Sequence, residues 1–172
     1  MITLIPHLLT QQSFAQFGDV IEATNAAQHF SINSGNTERF HDLANIDPGA
    51  DGKVIVSIFR GMPRRLPFIV EMMERHPKGS QCFIPMSGRP YLVVVAPPSK
   101  VPTVRDLCAF FVRGDQGVNY SVGVWHHPLL ALEVASDFIV LDRSGPGPNC
   151  DEIRLSEKAI IPAITELDIF SY

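Results

Sequence analysis

The chain has 172 residues, 45% of them hydrophobic and 19% charged, with a formal net charge of −4. That length suits one domain, and that composition excludes a disordered chain. The acidic balance, without any Lys/Arg-rich block, argues against a nucleic-acid partner, and no apolar run nears the ~20 residues a membrane helix requires.

Residues 1–10 are apolar but lack a basic start and a small-residue cleavage site, so they read as a mature N-terminus and not a signal peptide. Residues 13–17 suggest a short helix. Residues 53–60 (KVIVSIFR) are rich in β-branched side chains and predict a strand, which Pro63 and Pro67 end. Residues 68–76 (FIVEMMERH) have apolar spacing that suits a short helix, whereas the flanking prolines and short length suit a strand. Residues 82–86 and 91–96 flank Ser87-Gly88-Arg89-Pro90 and predict a hairpin. Residues 107–112 predict another strand, closed by a turn at Gly114, Asp115 and Gly117. Residues 124–134 and 137–142 follow as strands, 143–149 as a loop, and 156–172 as a tail with a helical turn near Pro162.

Fourteen prolines and twelve glycines thus punctuate many short strands. The expected class is all-β, a barrel or jelly roll with a few short helices, whose closed interior suits a small ligand. Three scattered cysteines, Cys82, Cys108 and Cys150, leave one over in any pairing. Free thiols in a reducing cytoplasm are the expectation, and a thiolate zinc site is disfavoured.

The densest chemistry lies between Glu74 and Gly88. Cupin barrels carry a first motif in which two ligands sit two apart, a third follows after a short gap, and a glycine comes six residues later. Glu74, His76, Gln81 and Gly88 resemble it in spacing, with Glu for the first His and Gln for the Glu. Residues two apart on a strand share a face, so Glu74 and His76 are expected to point together into the barrel. The second cupin motif ends G-x-x-H, as in Gly123-Val124-Trp125-His126, with His127 next. Adjacent strand residues face opposite sides. The spacing favours His126 for the pocket, and a bulge would favour His127. Glu74, His76 and His126 make a two-His, one-carboxylate set for a divalent metal. Gln81 is a better amide partner for substrate.

A second cluster runs from Asn33 to Leu43 and contains Arg39, His41 and Asp42. Arg39 and His41 share a face if the segment is extended, and an Arg fork matches a carboxylate. The alternative is a solvated loop end with Arg39 paired to Glu38 or Asp42. Lys78 and Arg60 are further candidates for an anion, and Asn119 and Asn33 for polar groups of a ligand. Trp125 reads as core. No GxGxxG, P-loop or GxSxG motif occurs.

On residues 14–22 (FAQFGDVIE), 38–43 (ERFHDL), 74–85 (ERHPKGSQCFIP), 114–120 (GDQGVNY) and 124–129 (VWHHPL), the sequence resembles the ureidoglycolate lyase family. Asp142-Arg143 and residues 149–151 resemble it too. The resemblance implies one cupin-like catalytic domain over 1–172, with 158–172 as a C-terminal extension, and a cytoplasmic homodimer. It implies cleavage of (S)-ureidoglycolate to glyoxylate and urea in allantoin and purine catabolism, and divalent metal, nickel included, as a stimulant. The expected roles are proton transfer by His76 and His126 or His127, carboxylate binding by Arg39 with Lys78 as a second candidate, and ureido binding by Gln81 and Asn119. Two other classes stay open on the residues alone: a metal-dependent cupin dioxygenase or sugar isomerase, and a non-catalytic ligand-binding cupin module. An amidohydrolase releasing ammonia also stays open.

Overall fold

The computed structural model describes residues 1–98 and 101–163. Its elements are β1 (Ile2–Thr3), β2 (His7–Leu8), α1 (Gln11–Phe14), β3 (Gly18–Ile21), β4 (His29–Ile32), β5 (Thr37–Phe40), β6 (Lys53–Gly61), β7 (Phe68–Arg75) and β8 (Gln81–Pro85). They continue as β9 (Tyr91–Ala96), β10 (Cys108–Val112), β11 (Gly117–Tyr120), β12 (Trp125–His126), β13 (Leu130–Ala131), β14 (Ser136–Ser144) and β15 (Asp151–Ile161). None of the described helices is long and apolar enough to cross a membrane.

Two sheets face one another. One has eight strands in the order β1-β15-β7-β12-β9-β10-β2, with β13 also on β9; the other has five, β3-β11-β8-β14-β6. The fold is all-β and cupin-like, as expected. Period-two alternation sends Tyr91, Val93 and Val95 of β9 inward onto Val118 and Tyr120 of β11 and Phe138 and Val140 of β14. The intervening Leu92, Val94 and Ala96 face the other way, into a second core with Val104, Leu107 and Trp125. With both faces covered, every position of β9 is buried, which is why it reads as an unbroken apolar run.

The helix α1 links β2, the edge of one sheet, to β3, the edge of the other, and closes the side of the interior between them. Thr10 caps it, accepting from the Ser13 N–H at 3.1 Å while Ser13 Oγ accepts from the Thr10 N–H at 3.2 Å. Phe14, within α1, and Phe17, just after it, are fully buried and contact Phe110.

Several expectations are corrected. Residues 82–86 and 91–96 do not form a hairpin: β8 pairs with β11 and β14, while β9 pairs with β10, β12 and β13. The Ser87–Pro90 turn carries the chain from one sheet to the other. Residues 68–75 are strand, because β7 is hydrogen-bonded on both sides, to β12 and β15. The strand expected over 124–134 is two short ones, β12 and β13. Residues 158–161 of the expected extension are the end of β15, where Ala159 and Ile161 are fully buried against β7. Residues 164–172 lie outside the described part.

Candidate active site

Four strands and one loop end bring the chemistry together in the interior. His126 on β12 lies in register with Glu74 on β7 and Val95 on β9, so it shares their inward face. His76 follows β7, two residues past Glu74, and its ring centroid lies 5.1 Å from that of His126. Gly123 ties the two segments by donating its N–H to the His76 carbonyl at 2.9 Å. It does so at φ +78°, a left-handed conformation that favours glycine and accounts for the Gly in G-x-x-H. From the facing sheet, Tyr120 on β11 stacks on His126 at 4.4 Å and 12°, and Gln81 on β8 pairs with Tyr120. Of His126 and His127, His126 is the one that faces the interior; it is 2% exposed.

Both imidazoles have a determined proton position. His76 Nδ1 lies 2.6 Å from the Asn149 carbonyl oxygen, and His126 Nδ1 lies 3.1 Å from that of Val124. A carbonyl only accepts, so Nδ1 carries the hydrogen in each ring and Nε2 presents a lone pair. Both Nε2 atoms are buried without a hydrogen-bond partner. His126 Nε2 lies 3.4 Å from Glu74 Oε1, close enough for the carboxylate to pair with the ring when it is protonated. Burial works against the Glu74 charge, but the imidazoles of His126, His76 and His127 outweigh it and hold the carboxyl below its usual range. Burial pushes the Tyr120 phenol well up, with the nearby Glu74 charge adding to it.

The donor set suits a divalent transition metal. Ligand atoms of Glu74, His76 and His126 all lie within 4.8 Å of one another. The two unpartnered Nε2 lone pairs, each backed by a carbonyl on Nδ1, are what such an ion requires.

The structure does not bring the other expected residues to this cluster. His127 turns its ring outward, edge-on to Phe68 at 5.3 Å, and burial lowers its pKa. Arg39 lies on the separate β4–β5 hairpin, over the Phe30 ring at 5.7 Å. Asn33 is at the turn of that hairpin, reaching Thr37 Oγ1 at 3.4 Å. His41 lines another cleft of about 460 Å³, with Gln28, Asp19 and Asp42. Asn119 shares β11 with Tyr120 but points to the opposite face, donating to Asp19 Oδ2 at 2.9 Å and the Asn45 carbonyl at 3.0 Å. Lys78 donates to the Pro146 carbonyl at 3.0 Å, and Arg60 forks onto Asp137 at 2.7 and 2.8 Å. These cations are spent on loop and surface contacts.

Two interior residues escaped the sequence reading as site candidates. Tyr120 is one; its place beside Gln81 and His126 depends on cross-strand register. Asp142 is the other. It continues the inward series Phe138 and Val140 on β14, and its Oδ1 is buried without a partner. The strand alternation could have found Asp142 once the inward face of β14 was known.

Comparison with known proteins shows the family. The family model described as ureidoglycolate lyase matches residues 1–162. A Burkholderia cepacia protein named ureidoglycolate lyase is 56% identical over 149 residues, 86% of this chain and 83% of its own. One from Pseudomonas putida is 51% identical over 162 residues, 94% and 96% of the two chains. One from Burkholderia mallei is 54% identical over 158 residues, 91% and 92%.

Proposed function

The chain belongs to the ureidoglycolate lyase family, and we propose that it cleaves (S)-ureidoglycolate to glyoxylate and urea. The observation that carries the mechanism is the pair of interior imidazoles with free Nε2 lone pairs. The substrate is a carbinolamide. Its C–N bond breaks as the hydroxyl becomes the aldehyde carbonyl of glyoxylate, and the departing nitrogen takes a proton to become urea. One proton moves from oxygen to nitrogen, so the reaction balances without any co-reactant.

An Nε2 lone pair of His126 or His76 takes the hydroxyl proton, and the resulting imidazolium returns it to the leaving nitrogen. Glu74, beside His126, favours that transient positive charge. Gln81 offers its amide to the ureido group. The described residues bring no Lys or Arg to the cluster. A divalent metal held by Glu74, His76 and His126 would occupy those same lone pairs, so it would stand as an alternative to imidazole proton transfer, supplying positive charge for the substrate carboxylate and hydroxyl.

The reading extends to a cytoplasmic step of allantoin and purine catabolism, supported by the three free thiols, which suit a reducing compartment. It also extends to a homodimer. Val54, Val56 and Ile58 on one face of β6 are 41, 69 and 62% exposed, beside Ile139 and Leu141 of β14. An apolar face of this kind suits a second copy.

Product analysis tests the function. Purified protein with (S)-ureidoglycolate should yield urea and glyoxylate without ammonia. Ammonia in place of urea would show an amidohydrolase, and no consumption with or without added divalent metal would overturn the reading.

A further inference from the structure

The geometry points to Asp142 as a further specificity-determining residue: with Gln81 it forms an acceptor pair that receives the N–H groups at the ureido end of the substrate. This rests on the function proposed above and adds a residue to it. On β14, Phe138 and Val140 face the interior and are fully buried. Asp142 is next on that face. On β8, Phe83 pairs with Val140 and Cys82 with Leu141, so Gln81 and Asp142 lie side by side one step further on. Both present a shielded oxygen, Gln81 Oε1 and Asp142 Oδ1, and neither meets a donor among the described residues.

Nearby cations do not serve Asp142. Arg143, adjacent in the chain, faces the opposite side, where its guanidinium bonds the Asp51 carboxylate at 2.6 Å and the Pro48 carbonyl. The Lys78 ammonium is held by Pro146. Buried acceptors are ordinarily paired, and two adjacent unpaired ones mark a place where a ligand brings the donors. Of the substrate's groups, the ureido end alone offers N–H donors. Its carboxylate would meet repulsion from Asp142, so the same oxygen that welcomes the urea end rejects the reversed pose. That pose directs the carbinol hydroxyl toward the imidazoles.

The test compares wild type, Asp142→Asn and Asp142→Ala in full-length protein. The readouts are turnover of (S)-ureidoglycolate, inhibition by each product, and thermal melting. Asp142→Ala should raise the urea inhibition constant about 10-fold or more, the scale of losing one charge-assisted hydrogen bond. The glyoxylate constant should stay within about 2-fold, and the melting temperature should not fall, because an unpaired acceptor contributes nothing to the free protein. Asp142→Asn keeps the shape and one acceptor oxygen and should fall between. Equal weakening of both products, an unchanged urea constant, or a melting temperature that falls with the affinity would each overturn the proposal. A wild type that does not turn over the substrate would instead overturn the function, and one that turns it over without urea inhibition would overturn only the role of Asp142.

Discussion

The two ends of the inward face of β14 are built on opposite rules. At the apolar end, Phe138 packs edge-on against Tyr91 with ring centroids 5.0 Å apart, and the polar atom there is answered: the Tyr91 hydroxyl donates to the Gln116 carbonyl at 3.0 Å. At the other end, His76, Gln81, His126 and Asp142 each leave a buried polar atom without a partner. The same strands serve both, since β14 carries Phe138 at one end and Asp142 toward the other. The difference teaches that stability is concentrated where every group is satisfied, and that recognition sits where satisfaction is withheld until substrate arrives.

Substitutions at each end sharpen or break that contrast. The largest effect is expected from His126→Ala, which should lower kcat by ~10²–10⁴ while melting near wild type; steady-state kinetics and a melting curve check both. A variant that turns over normally would break the contrast. Phe138→Ala should do the converse, costing about 3–5 kcal/mol of stability in guanidinium unfolding, with turnover per folded molecule largely kept. Glu74→Gln should act on the acid limb. The folded pKa of Glu74 is lowered, so its contribution to stability is complete above the ordinary value of 4.5 and is lost as pH falls through the folded value. Unfolding midpoints measured through this range should vary less with pH in the variant. The smallest effect is expected at Arg60→Ala, whose ion pair with Asp137 is exposed and outside either end. Its unfolding midpoint should scarcely move.

Much of the apolar core was legible in the sequence. The run 91–96 announced a core strand, and residues 13–17 announced a short helix that the structure places two residues earlier, at Gln11–Phe14. The cluster was half legible. The strand period of two put Glu74 and His76 on one face, and motif spacing picked out Gln81 and His126, which the fold brings in from β8 and β12. Arg39, Asn119 and Lys78 lie away from the cluster for a different reason. Their chemistry fits an anionic, amide-bearing substrate, but which side of a sheet they occupy depends on pairing and not on residue type. Asn119 is the clearest case, one position from Tyr120 and therefore on the opposite face. Asp142 was missed because a lone acid in a strand looks like a wet edge until its neighbours Val140 and Gln81 are known to face inward. The hairpin expected across Ser87–Pro90 failed because a turn signal states that the chain reverses and not which strand it then joins.

The acceptors that fix the proton on His76 and His126 belong to the main chain at Asn149 and Val124. Every amino acid brings the same carbonyl to those positions. The tautomer on which proton transfer depends is therefore insulated from side-chain replacement at 124 and 149 as long as the backbone path is kept. At 149 the side chain still matters to that path, since Asn149 Oδ1 accepts from the Lys78 N–H at 2.7 Å, so its replacement, like an insertion between β14 and β15, would reach the proton on His76 by moving the loop.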